Sequence, residues 1–393
     1  MNLPATDVHL SIFTRLTEAR ADWQQLKDAW CSNPYQTLDW LEAWLETLGR
    51  TRKVSPRIVV GHAAGKPVFW LPLGMERSAG VRTLSFLGNQ HGNQNTGIWD
   101  RDYYEAVPAT DIASLLKVIC SKAGADVLKL ENVPRTWHGR THPLILENAK
   151  PSPSPVFGRM LGNDFDQLFR DTHSKSSRKN LLRKERHLQA AGNFRVARAE
   201  TETEIRRGLD AFLVQRAARS VEAGIPNVFD TPAAEDFLGR LLGLGAHDGT
   251  NRKPPMDLWY LEAGGVIRST YLCLEKNGTL YAYSNSISHD EMLANSPGLV
   301  LIKEIIARAC AQPDLEVLDL GLGEERYKTG WAEPVPLSDS LLAVSFKGML
   351  FQEVSGLRLK AKSAIRNSAV LWPLVRRLRK LKAGLRKGYT NRN

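Results

Sequence analysis

The 393-residue chain has only four cysteines, Cys31, Cys120, Cys273 and Cys310, and none is spaced for pairing or for metal ligation. That scarcity excludes a disulfide framework and a zinc site, so no metal is expected and a reducing, cytoplasmic setting is. No stretch approaches the length of a membrane span, and the start, "MNLPATDVHLSIFTRL", holds no apolar h-region, so neither an integral membrane protein nor an export signal is expected. Acid is missing from residues 358–393, which hold 12 Lys/Arg and no Asp or Glu. The other 41 basic side chains face 42 acidic ones, so the net charge of +11 is a property of the tail and the body is close to neutral. No nucleic-acid-binding motif accompanies the charge, and nucleic acid is not an expected partner of the body.

What is present is an ordinary globular composition, 42% hydrophobic and 24% charged, in a chain long enough for two domains. In the first half, "QTLDWLEAWLETLG" (36–49) has the apolar spacing of a helix. A hairpin turning at 63–66 follows, then a third strand "VRTLSFLG", the polar loop "NQHGNQNTG" (89–97), a helix "TDIASLLKVICSKAG" and a buried-type strand "ADVLKLENVP". The second half has the same order. Helices at about 175–190 and 201–219 precede three strands divided by Gly264-Gly265 and Asn277-Gly278, the latter a strong hairpin signal. A helix opening at Ser296-Pro297 and the strand "LEVLDLG" complete it. "PSPSP" (151–155) reads as the linker between halves. Hairpins feeding a strand–helix–strand crossover predict an α+β fold whose sheets change from antiparallel to parallel pairing.

Three stretches invite a chemical reading. "NSPGLVLIKEII" (295–306) places a helix N-terminus after a strand, where unpartnered amides and the helix dipole suit a pyrophosphate. "LYAYSNS" alternates, so Tyr281, Tyr283 and Asn285 share one face, either for packing or to line a site. "LDLGLGEERYKTGW" (318–331) ends a strand at two glycines and gathers two glutamates, a phenol, an ammonium and an indole. Glu325 reads there as solvated and Trp331 as a cover for the core. In the first half, Gln36 and Trp40 stand one helical turn apart beside the 89–97 loop, whose His91 and amides, Asn93 among them, suit sugar hydroxyls. Residues 175–187 carry seven basic groups and one acid, which leaves open a phosphate-bearing substrate, a cofactor phosphate or a solvated face. "LWPLVRRLRKLKAGLRKG" (371–388) has the pattern of a basic amphipathic helix able to lie on the inner face of an anionic membrane, or of a solubilising tail.

The order of elements in each half is that of GNAT-type acyltransferases. The doubled chain, over roughly residues 20 to 345, resembles the CelD-like acetyltransferase family of cellulose and exopolysaccharide gene sets and, more distantly, Fem-type peptidyl transferases. Four motifs carry the likeness, in the family's order: "PYQTLDWLEAW" (34–44), with the pattern P-x-Q-x-x-x-W-x-x-x-W; "SRKNLLRKERHL" (177–188); "NSPGLVLIKEII"; and "LDLGLGEERYKTGW", with D-x-x-x-G-x-x-x-Y-K-x-x-W. The resemblance implies two tandem GNAT-like domains, 1–150 on the acceptor side and 156–350 on the acyl-coenzyme A side, and a basic tail over 351–393. It implies an acetyl-coenzyme A-dependent transferase acting on a polar, amino- or hydroxyl-bearing acceptor such as a sugar or its nucleotide- or lipid-linked form. Ser296, Gly298, Leu299 and Val300 would then meet the coenzyme A pyrophosphate, and Tyr283 and Asn285 its pantetheine arm. Gln36, Trp40, His91, Asn93 and Tyr281 would meet the acceptor. Tyr327 would protonate the leaving sulfur, Lys328 would bind an oxyanion or phosphate, and Glu324 would serve as base. This sequence departs from the common pattern in having Asn295-Ser296-Pro297 where an Arg or Gln often precedes the turn glycine. A Fem-type aminoacyl transferase using tRNA and a non-catalytic binding protein of polysaccharide machinery are the alternatives.

Overall fold

The computed structural model describes residues 8–89, 91–245 and 253–354. The first half supplies β1 (His9–Phe13), β2 (Ser55–Ala63), β3 (Lys66–Ser78), β4 (Val81–Phe86), β5 (Val127–Pro134) and β6 (Lys150–Pro151). The rest supplies β7 (Val156–Met160), β8 (Arg195–Arg198), β9 (Met256–Ala263), β10 (Val266–Lys276), β11 (Thr279–Ile287), β12 (Val317–Leu322), β13 (Glu333–Val335) and β14 (Leu337–Ala343). Seven main helices accompany them: α1 (Leu38–Trp44), α2 (Ala109–Ala123), α3 (Phe165–Thr172), α4 (Lys175–Ala190), α5 (Glu202–Ala223), α6 (Pro232–Leu241) and α7 (Pro297–Cys310). The α+β expectation holds, with two GNAT-like sheets in tandem, each flanked by helices.

Turn chemistry sets the hairpins. Each is closed by two residues at positive φ: Ala64-Gly65, Ala79-Gly80, Gly264-Gly265 and Asn277-Gly278. Paired positive φ matches the twist of the flanking strands, which is why glycine occupies the second place in all four. α5 starts on a capping box between Thr201 and Glu204 and stops at Gly224, φ 63°.

The two sheets run β1-β2-β3-β4-β5-β14-β6 and β8-β9-β10-β11-β12-β7-β13, with the two-residue strand Ile98–Trp99 added beside β3. Each has one parallel pair, β4 with β5 and β11 with β12. The strand after each parallel pair is not the next one in the chain, and in the first sheet it comes from the other half. β7 inserts antiparallel against β12, and β14 returns from the C-terminal side to pair with β5. A cut between 150 and 156 therefore leaves the second sheet whole and the first a strand short, because residues 337–343 pair in the first sheet. Of the tail, 351–354 continue a helix begun at Phe346, and the amphipathic stretch 371–388 lies outside the described residues.

Three cores hold the layers. β2–β5 pack one face on α2, around Phe69, Trp99, Tyr103 and Leu116. The second sheet packs one face on α3, α4 and α7, around Tyr271, Ile302 and Trp331. Between the sheets, α1, α5 and α6 share a core in which Trp40, Trp44 and Trp70 of the first half meet Phe212, Phe237, Tyr281 and Tyr283 of the second. Apolar burial across that joint, at roughly 25 cal/mol per Å², sets the halves in a fixed relation to each other.

Candidate active site

Parallel pairing of β11 with β12 stops at Tyr281 opposite Asp319, although both strands continue, to Ile287 and Leu322. The strands separate there, and Gly321 (φ 74°) turns β12 away. A cleft of about 690 Å³ opens at the separation. Its walls include Ala282, Tyr283, Ser284 and Asn285 on one strand and Leu320 and Leu322 on the other, with Glu325, Tyr327 and Lys328 beyond the bend. Asn89, His91, Asn93 and Glu131 of the first half close the far side, and Arg216 and Arg219 of α5 overhang it.

Side chains of the 89–97 loop tie the halves together at this point. Gln94 Nε2 donates to Asp319 Oδ2 at 2.7 Å, and the Gly321 amide donates to Oδ1 of the same carboxylate at 2.6 Å. Burial pushes the Asp319 carboxyl up to about 6, against the pull of those bonds and the Lys328 charge. Asn93 Nδ2 donates to Tyr35 Oη at 3.1 Å and reaches the Tyr283 carbonyl at 3.4 Å. It lies so close to Gly321 that a Cβ there would stand 2.5 Å from it. His91 accepts from Trp44 Nε1 at 3.2 Å. Burial, then the Arg52 charge, lowers its pKa to about 4 even though the Val228 carbonyl favours the cation, so its ring is neutral near pH 7.

Tyr327 stands at the edge of the separation. Its hydroxyl lies 2.6 Å from Tyr271 Oη and accepts from Asn285 Nδ2 at 3.3 Å. Burial and then the Glu325 charge hold its pKa above the usual phenol value, so it carries its proton at neutral pH. Lys328 is nearly buried, and its ammonium is already engaged. It donates to the Leu322 carbonyl at 2.8 Å and to that of Gly321 at 3.3 Å, and lies 3.4 Å from Glu325. These contacts tie the chain's exit from β12, and the residue expected to meet an oxyanion or phosphate lies in the cleft lining. Glu324, the expected base, is exposed and outside the lining, whereas Glu325 lies on the cleft, paired with Arg219 at 3.0 Å.

The expected acceptor wall divides. His91 and Asn93 line the cleft, whereas Gln36, Trp40 and Tyr281 are buried in the joint and do not. Gln36 Oε1 accepts from the Thr96 and Gly97 amides at 3.0 and 2.7 Å, pinning the loop from behind. Trp40 packs edge-on against Tyr35, Phe237 and Tyr283. An amphipathic helix hides its large side chains in a core by default, and here the second half supplies that core.

The α7 N-terminus sits outside the lining, on the sheet face shared with α4. Ser296 takes φ 50° and makes no side-chain cap; its Oγ accepts instead from Lys184 Nζ of the basic helix at 2.7 Å. The Leu299 and Val300 amides donate to the Ser296 carbonyl at 2.9 and 3.3 Å, so of the three amides expected to meet a pyrophosphate only that of Gly298 lacks such a bond. A Cβ on Gly298 would come 2.7 Å from Ile287 Cδ1, so substitution there disturbs packing as well as any ligand. Sequence reading missed Arg216 and Arg219, which stand one turn apart on a long, arginine-rich helix with no motif around them.

Coenzyme A fits this arrangement on one observation. Beyond Tyr281, the β11 edge facing the cleft is met only by long side-chain contacts, Asn93 at 3.4 Å on Tyr283 and Arg216 at 3.5 Å on Asn285. Backbone carbonyls so weakly satisfied are available to an extended amide chain. The residues that would hold it are Tyr283 and Asn285, with Gly298 and Lys184 toward the phosphates.

Residues 175–329 match the acetyltransferase (GNAT) domain family. That match lies within the second half and is a likeness of this part of the chain to a GNAT domain. Solved structures resemble most of the chain, two of them as follows. The crystal structure of FemX aligns over 88% of this chain and 99% of its own, with a TM-score of 0.56 and 11% identity. A conserved protein of unknown function from Bacteroides thetaiotaomicron aligns over 86% and 100%, with a TM-score of 0.53 and 10% identity. At such identities the likeness is one of fold alone. No curated protein matches the chain.

Proposed function

We propose that the protein transfers an acyl group, an acetyl group in the first instance, from coenzyme A to a polar acceptor bearing an amine or hydroxyl, such as a sugar or its nucleotide- or lipid-linked form in exopolysaccharide or envelope assembly. The observation that carries this reading is the cleft at the parted β11 and β12, open toward the first half and bordered by a protonated phenol. The bound thioester supplies the activated acyl group. Tyr327 then offers its proton to the departing sulfur, and Glu325, directly or through water, takes one from the acceptor. Calorimetric titration of the full chain with acetyl-coenzyme A tests the donor; absence of heat and of thermal stabilisation at about millimolar donor would sink the reading.

The FemX likeness favours one alternative, aminoacyl transfer from a charged tRNA. In the same titration, a complex displaced by tRNA supports it, and one indifferent to tRNA removes it. A non-catalytic role in polysaccharide assembly is weakened by Tyr327 facing the cleft.

We also propose peripheral contact with an anionic membrane through the basic stretch 371–388. No helix among the described residues is long and apolar enough to cross a membrane. The helix beginning at Phe346, just upstream of that stretch, leaves Phe346, Met349 and Leu350 largely exposed, an apolar patch suited to the acyl boundary. Co-sedimentation with phosphatidylserine vesicles, lost at high salt and on truncation after residue 354, is the expected result; equal recovery with neutral vesicles would count against it.

A further inference from the structure

α5 carries two arginines over the cleft, and their surroundings differ. Arg219 is matched by Glu325 at 3.0 Å. Arg216 has no such partner among the described residues. Its guanidinium lies 5.5 Å over the Phe229 ring and touches the Asn285 carbonyl at only 3.5 Å. Burial, then the neighbouring Arg219 charge, holds its pKa below the ordinary guanidinium value, and the Glu325 charge, already paired with Arg219, offsets this only in part. A half-buried charge without an ion pair of its own is costly, and the fork of N–H donors matches a carboxylate or a phosphate bidentately.

We infer that the acceptor carries an anionic group, a carboxylate or a phosphate, which docks on Arg216 in the cleft between the two halves. This rests on the acyl-transfer reading only in calling the ligand an acceptor. The assignment to the acceptor side follows from the sheet. Arg216 descends from α5, on the face that the second sheet turns toward the first half, whereas the basic α4 and the α7 N-terminus, where the donor's phosphates are placed, pack on the opposite face. Lining that mixes Arg216 with Asn89, Asn93 and His91 selects a molecule that is polar along its length and charged at one end. The apolar Phe229 beneath the guanidinium keeps its plane fixed, so the anion is met by a preset fork.

The test is calorimetric titration of the full chain, with and without coenzyme A, using three probes of similar size: glucuronate, glucosamine 6-phosphate and glucose. Binding of one or both anionic sugars, and not of glucose, is expected, and the preferred one tells carboxylate from phosphate. Arg216→Met should weaken that binding about tenfold or more, the ordinary effect of losing charged hydrogen bonds, and Arg216→Lys should restore part of it. Acetyl-coenzyme A affinity should stay as in the wild type in both variants. If Arg216→Met melts well below the wild type, the lysine variant decides, because it keeps the charge and loses the fork. Wild-type anion affinity in Arg216→Met, glucose binding as well as the charged sugars, or no anion binding at all would overturn the inference. A chain that binds the anion through Arg216 but never binds acetyl-coenzyme A would keep this site and remove the acyl-transfer reading.

Discussion

Tyr327→Phe is expected to bind acetyl-coenzyme A as the wild type does and to turn over ~10²–10⁴-fold more slowly, the range that general acids contribute. The phenol touches Tyr271 Oη and Asn285 Nδ2 at the point where β11 and β12 part, and its proton is retained at neutral pH. Removing one oxygen leaves the ring in place, so packing is conserved and the loss falls on charge that develops only as sulfur departs. Tyr271→Phe separates this from a structural effect. That variant removes the hydroxyl's nearest neighbour and leaves the proposed acid, so it should keep most of the activity and shift the alkaline limb of the pH–rate profile. With a defined acceptor and steady-state kinetics, wild-type turnover in Tyr327→Phe would make the tyrosine a packing residue and move the acid elsewhere in the cleft.

The tyrosine was legible because it sits in a dense motif after two glycines, and Tyr283 and Asn285 because strand alternation puts them on one face. Other parts were hidden for physical reasons. Glu324 and Glu325 are adjacent, and only the turn through Gly323 (φ 106°) decides which of them meets Arg219. Gln36 and Trp40 have the spacing of an exposed wall and of a buried face equally, and the choice was made by α5 and α6, almost two hundred residues away. The return of β14 to the first sheet leaves no local trace, since a strand's alternation names its faces and not its partner. Arg216 looks like any solvated helix arginine until Phe229 and the cleft are placed beside it.

Acidification from pH 6.5 to 4 is expected to cost the fold about 4 kcal/mol. His91 and His142 are buried, and burial lowers their pKa values to about 4 and about 3 from the ordinary 6.5. A group whose folded pKa is lowered binds fewer protons folded than unfolded. Its contribution is therefore complete above about pH 6.5 and is lost as pH falls toward the folded value. By pH 4 each histidine has forfeited about 3 kcal/mol, a little less than ~1.36 kcal/mol per unit because each is part-titrated at the ends of the interval. Asp319 works in the opposite direction. Its folded pKa, up at about 6 from 3.8, makes the folded state bind more protons between those values, so the same acidification returns about 2 kcal/mol. Asp319→Asn removes that compensation while keeping an oxygen for the Gly321 amide, and Gln94 can turn its amide to accept from the new nitrogen. The variant should match or exceed the wild type at pH 7 and fall more steeply, by about 2 kcal/mol over the interval. Urea unfolding at half-unit steps from pH 7 to 4 reads both slopes. A flat wild-type profile would mean that the two histidines carry protons in the folded state, and equal slopes in wild type and Asp319→Asn would mean that the carboxylate joining the halves is charged at all these pH values.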